Sequence, residues 1–146
     1  MTMMDWDKEK QVKVFPDGTY KVVIEKQERC TASTGTPQIR WYAKILEPSE
    51  FKGKSFCIHT PLTEKSLWKV ASLVDGCGLT DLPPIDTESE LFAKITATCV
   101  GRTAYWRNAK STYEGSERNE IVNFSQDTDQ NLITVSLKDD TPEFAR

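Results

Sequence analysis

The sequence predicts a mainly-β fold of five short strands with one helix between the third and the fourth, and three observations predict it. Apolar and polar residues alternate with period two in several segments, Gly- and Pro-rich turn signals separate those segments, and a single stretch changes to a period of three and four. At 146 residues, 38% of them hydrophobic, the chain is about one domain long and carries the apolar side chains for one core. Residues 1–15 read as an N-terminal segment, 16–124 as the folded domain and 125–146 as an acidic C-terminal tail.

Pro16-Asp17-Gly18 is a turn signal, and after it Tyr20, Val22 and Ile24 alternate with Lys21, Val23 and Glu25, a half-buried first strand over residues 19–28. The turn Ser33-Thr34-Gly35-Thr36-Pro37 leads into a second strand, 39–46. It places Ile39, Trp41, Ala43 and Ile45 on one face and Arg40, Tyr42 and Lys44 on the other. Trp41 reads as core because its neighbours at even spacing are apolar. A polar connection with Pro48 and Gly53 carries Lys52 and Lys54 to a third strand, 55–60, through Phe56 and Ile58.

Between residues 61 and 77 the period changes, with Leu67, Val70, Ala71 and Val74 three and four apart. Thr60 or Thr63 serves as N-cap, and Gly76 and Gly78 are the stop signals. The acidic loop with Pro83-Pro84 returns the chain to the sheet. A fourth strand is expected over 92–101, where the small residues Ala93, Ala97 and Cys99 with Ile95 would line a tightly curved barrel. The fifth is expected at 119–124 through Ile121, Val122 and Phe124, and 132–137 is strand-like.

Net charge is −3, and all of it lies in residues 125–146, where five carboxylates face two cations; the first 124 residues are neutral overall. A neutral body binds polyanions when its cations share a face. No apolar run reaches the length of a membrane span and the first ten residues are charged, so a soluble, cytoplasmic protein is expected. Cys30, Cys57, Cys77 and Cys99 stand apart without the close pairs of a zinc site and read as structural thiols, so neither metal nor cofactor is expected. The one histidine, His59, lies within a strand and there is no glycine-rich phosphate loop, which argues against an enzyme.

Three strands, a helix and two strands is the order of an OB-fold barrel, whose second and third strands and long connecting loops bind oligonucleotides. The segment after the expected fourth strand interleaves cations with rings: Arg102, Tyr105, Trp106, Arg107, Lys110, Tyr113 and Arg118. Those residue types meet the two features of a single strand, a phosphate backbone and the π-faces of its bases. Tyr42, Tyr105, Trp106 and Tyr113 are the candidate stacking residues. Arg40, Lys44, Lys52, Lys54, Arg102, Arg107, Lys110 and Arg118 are the candidate phosphate contacts.

Pro16-Asp17-Gly18-Thr19-Tyr20, Gly35-Thr36-Pro37, Ile45-Leu46-Glu47-Pro48, Phe51-Lys52-Gly53-Lys54, Leu67-Trp68-Lys69 and Cys77-Gly78-Leu79 together resemble a family of small phage replication and recombination proteins similar to OB-fold single-stranded-DNA-binding proteins. The resemblance covers about residues 15–124. It implies a phage-encoded protein that acts on single-stranded DNA in the host cytoplasm. Asp139-Asp140-Thr141-Pro142-Glu143-Phe144 is similar to the acidic tip of bacterial single-stranded-DNA-binding proteins, which implies recruitment of replication or recombination proteins through Asp139, Asp140, Pro142 and Phe144, although Ala145 and Arg146 follow the phenylalanine. The expectation is sequence-tolerant binding of single-stranded DNA without catalysis. The alternative is an OB module that meets another protein, since aromatics and arginine also favour protein interfaces. Exposed strand edges in such a barrel allow a homodimer.

Overall fold

The computed structural model describes residues 14–134. Its strands and helices are β1 (Gly18–Thr31), β2 (Pro37–Glu47), β3 (Ser55–Pro61), α1 (Leu67–Gly76), β4 (Leu79–Thr80), α2 (Glu90–Thr98), β5 (Thr103–Asn108), β6 (Ser111–Tyr113), β7 (Ser116–Arg118), β8 (Ile121–Gln126) and β9 (Ile133–Thr134). Five strands form one antiparallel sheet in the order β3-β2-β1-β5-β8, with β3 and β8 as its edges. β6 and β7 make a separate hairpin, and β4 pairs in parallel with β9.

Alternation explains β1 to β3. Val22 and Ile24, then Ile39, Trp41, Ala43 and Ile45, then Phe56 and Ile58 are buried, while their neighbours face outward. Trp41 Nε1 donates to the Thr60 hydroxyl at 2.9 Å, which in turn donates to the Ile39 carbonyl. Thr60 is therefore a buried strand residue rather than a helix cap, and α1 begins later than its periodicity suggested.

Strand β1 contains one irregularity with large consequences. Ile24 pairs with Ala43 and Lys26 with Tyr42, so Glu25 is an extra residue without a partner in β2. A bulge of this kind shifts the side-chain alternation by one. Before it the even-numbered residues point inward; after it Lys26 and Glu28 point outward, beside Tyr42 and Arg40.

Residues 92–101 are not a strand. α2 occupies this stretch because Phe92, Ile95, Thr96 and Cys99 are the buried set, at helical spacing, and Ala93 and Ala97 face solvent. Ser89 caps the helix by accepting from the Phe92 N–H at 3.1 Å. Thr96 and Thr98 return their hydroxyls to the Ala93 and Lys94 carbonyls, which lets threonine sit within a helix.

The fourth strand of the sheet is instead β5, inside the expected aromatic and basic loop, with Ala104, Trp106 and Asn108 buried. The fifth, β8, lies two residues later than expected.

The sheet is rolled. β3 and β5 are three strands apart in the sheet, about 14 Å in a flat one, yet the Phe56 and Trp106 rings lie 6.2 Å apart across the core. Phe15, Tyr20 and Phe51 extend this aromatic cluster on one side of Phe56, and Phe124 packs edge-on against Trp106 at 5.3 Å. α1 packs against both β8 and β3, the two edges. It approaches β8 so closely that a Cβ on Gly76 would lie 3.1 Å from the Phe124 Cβ.

The expected boundary of the acidic tail also moves. Residues 125–134 belong to the body, with Asp127 buried and β9 paired to β4. Asp139, Asp140, Pro142 and Phe144 lie outside the described residues.

Candidate nucleic-acid interface

The outward face of the rolled sheet is organised in rows by strand register. Glu28, Arg40 and His59 form one row across β1, β2 and β3; Lys26, Tyr42 and Cys57 form the next; Val23, Lys44 and Ser55 follow. Where β5 and β8 take over, Lys21, Tyr105 and Ser125 form a row, then Thr19, Arg107 and Asn123. Arg40, Tyr42 and Lys44 therefore share one face with Tyr105 and Arg107, which belong to a different part of the sequence.

Tyr42 is the ring at the centre of the first three rows. Lys26 Nζ sits over it, 5.3 Å from the ring centroid, an arrangement in which the ring quadrupole attracts the cation. Glu28 accepts at Oε1 from Arg40 Nη1 at 3.0 Å and from the Tyr42 hydroxyl at 3.4 Å, and its Oε2 lies 3.5 Å from Lys26 Nζ. Burial raises the Glu28 pKa, but Lys26 and Arg40 outweigh it and hold this carboxyl below its ordinary value. Arg40 Nε donates to His59 Nε2 at 3.1 Å. Burial, then the Arg40 and Lys69 charges, lower the His59 pKa, so the imidazole is neutral at pH 7 and free to accept that bond. The Cys57 thiol next to Tyr42 is raised by burial and stays protonated.

Lys44, Lys52 and Lys54 are exposed at one end of this face. The β2–β3 turn holds them there: Gly53, at a φ of +91° that disfavours a side chain, donates to the Ile45 carbonyl, and Ile45 donates to the Lys54 carbonyl. Among the described residues Lys44, Lys52, Lys54 and Arg107 have no carboxylate partner.

Two candidates serve the fold, Trp106 in the core and the half-buried Arg102 at its edge. Trp106 is 0% exposed, packed between Phe56 and Phe124, so it is a core residue and cannot stack on a base. Arg102 donates through Nε to the Cys77 carbonyl at 2.9 Å and through Nη2 to the Asn131 carbonyl. It ties the end of α1 to the segment before β9 through these two donors.

Lys110 and Arg118 lie at the β6–β7 hairpin, where the Lys110 N–H is held by Asp17 at 2.8 Å and its ammonium is 4.0 Å from Glu117. Tyr113 ends β6, and its side chain lies outside the described residues.

A family model matches residues 2–130, which is most of the chain and all of the sheet. The chain belongs to the DUF669 family. That family is described as a protein of unknown function. No curated protein matches the sequence.

In this DUF669 chain the residues that sequence reasoning missed are Lys26, Glu28 and His59. The first two were hidden by the bulge at Glu25, since uninterrupted alternation puts them on the inner face. Their charge at positions where an apolar row should continue was the available signal. Among the described residues no helix is long and apolar enough to cross a membrane, and no group of three His, Cys, Asp or Glu side chains could hold a metal ion.

Proposed function

We propose that this protein binds single-stranded DNA on the outward face of its sheet, without catalysis, in phage replication or recombination. Bases stack on Tyr42 and Tyr105, and phosphates meet Arg40, Lys44, Lys52, Lys54 and Arg107, with the hairpin residues Lys110, Tyr113 and Arg118 at the margins. The observation that carries this reading is the β2 row Arg40, Tyr42, Lys44. It stands outward on the sheet while the alternate row is buried, and it is continued by Tyr105 and Arg107 from a distant segment.

The sheet order supports an OB-type barrel. β3-β2-β1-β5-β8 is the succession of strands in that fold if the two edges are brought together, and α1 packs against both edges. The resemblance to small phage replication proteins supports the setting. A recruiting role for Asp139, Asp140, Pro142 and Phe144 belongs to the same proposal.

The test is a fluorescence-anisotropy titration of a labelled thymidine 30-mer at two salt concentrations, with duplex as competitor. Expected are binding whose logarithm falls linearly with the logarithm of salt, failure of the duplex to displace the strand, and about five-fold or greater weakening in Tyr42→Ala, since one base stack is worth about 1–3 kcal/mol. Absence of binding at low salt overturns the reading.

A second reading, an OB module that meets a protein, is favoured by a different surface. Trp68 on α1 is 60% exposed, and an apolar cavity of about 210 Å3 opens between α1, α2 and the loop with Leu82, Pro83 and Ile85. Binding through such a surface would change little with salt.

A further inference from the structure

Glu28 lies at the centre of a cluster of donors on the outward face of the sheet. Its carboxylate is the common acceptor for Arg40, the Tyr42 hydroxyl and the Lys26 ammonium. Those three groups are the cations and the hydroxyl that surround the central stacking ring of the interface. An ordinary surface ion pair joins two side chains and does little. Here one anion gathers donors from two strands around an aromatic face, and the Glu25 bulge is what turns it outward. Lys26, held by Glu28, also covers the Tyr42 ring.

We propose that Glu28 is a built-in phosphate surrogate that the incoming strand displaces. This rests on the single-strand-binding reading above. A phosphodiester carries the same single charge and accepts the same hydrogen bonds, so Arg40 and Lys26 can transfer from the carboxylate to the backbone. When Lys26 moves, the face of Tyr42 is uncovered for a base. Phosphate contact and stacking are thereby coupled at one residue, and an anion that brings no base to stack gains little from displacing Glu28. The surrogate lowers affinity for polyanions in general and favours a strand whose bases are unpaired.

The experiment compares the full chain with Glu28→Gln, which keeps the size and an acceptor for the Tyr42 hydroxyl, against the labelled thymidine 30-mer and against heparin, a polyanion without bases. Glu25→Gln serves as control, because among the described residues its carboxylate accepts from Ser55 and from none of Arg40, Tyr42 and Lys26. Expected for Glu28→Gln is a three- to ten-fold gain for the 30-mer and a larger gain for heparin. The log–log salt slope should steepen by about 0.7, because in the wild type the displaced Glu28 carboxylate takes up one cation as the strand binds and the amide does not. Glu25→Gln should leave the slope unchanged. In the Glu28→Gln background Arg40→Ala should cost more than it does in the wild type. Unchanged or weaker binding by Glu28→Gln, with the wild type binding normally, overturns the surrogate and leaves the function standing. If neither protein binds the 30-mer at low salt, the single-strand reading itself fails and the surrogate falls with it.

Discussion

Tyr105 and Trp106 are adjacent in sequence and have opposite surroundings, because β5 sends one outward beside Lys21 and the other into the core. Removing each should separate stability from binding. Trp106→Ala is expected to cost about 3–5 kcal/mol, the range for deleting a large buried ring, read as a lower denaturation midpoint. Tyr105→Ala should leave the midpoint close to that of the wild type and weaken oligonucleotide binding instead. Asp127 makes a second residue-level case. Its carboxylate accepts from the Thr103 hydroxyl at 2.6 Å and from the Asp129 N–H, and lies 3.6 Å from Lys21. Those bonds, and then the Lys21 charge, hold its pKa below the ordinary value. A carboxylate depressed on folding stabilises the protein above its unfolded pKa of about 3.9, and that contribution disappears as pH falls through the lower folded value. Urea midpoints measured from pH 7 to pH 2.5 should therefore fall more steeply in the acid range for the wild type than for Asp127→Asn.

Among the elements, β1, β2 and β3 were legible because alternation and turn chemistry agree: Pro16-Asp17-Gly18 opens β1, and Gly35 lies in the turn before β2. α2 and β5 depart from the sequence expectation together. Residues 92–101 satisfy both periods, with Ala93, Ile95, Ala97 and Cys99 two apart and Phe92, Ile95, Thr96 and Cys99 three or four apart. The Ser89 cap was the signal that should have decided between them. A strand at 92–101 makes the next residues a loop, and their cations conceal the inward row Ala104, Trp106, Asn108. The β6–β7 hairpin yields its own prediction, because its base is closed independently of its tip. Asn108 Nδ2 donates to the Phe15 carbonyl and to Asn119 Oδ1, Asn108 Oδ1 accepts from the Glu120 N–H at 2.9 Å, and the Ala109 N–H donates to the Glu120 carbonyl. Replacing residues 111–118 by two glycines should therefore leave a cooperatively melting body, because the bonds of Asn108 and Ala109 that close the hairpin's base lie outside the replaced residues. The accompanying change in oligonucleotide affinity measures the hairpin's share of the interface.

Over the whole molecule, the proportion of strand and the position of α1 were readable, since both depend on local periodicity. Which residues form the strand on the far side of β1, and that Tyr42 and Tyr105 share one sheet face, were not, because both depend on pairing between residues far apart in the chain. Central β1 illustrates the point, as it is paired on one side by its immediate successor β2 and on the other by β5, which begins at Thr103. That arrangement has a consequence for biosynthesis. As the chain leaves the ribosome, β1, β2 and β3 can form a meander at once, but the other edge of β1, with Val22 and Ile24 in its row, has no strand to pair with until β5 is made. At about 5–20 residues per second that interval is on the order of ten seconds. During it the nascent chain presents an open β-edge, the feature most prone to pairing with a neighbouring chain. Crowded translation of this protein should for that reason place more demand on chaperones than its small size suggests.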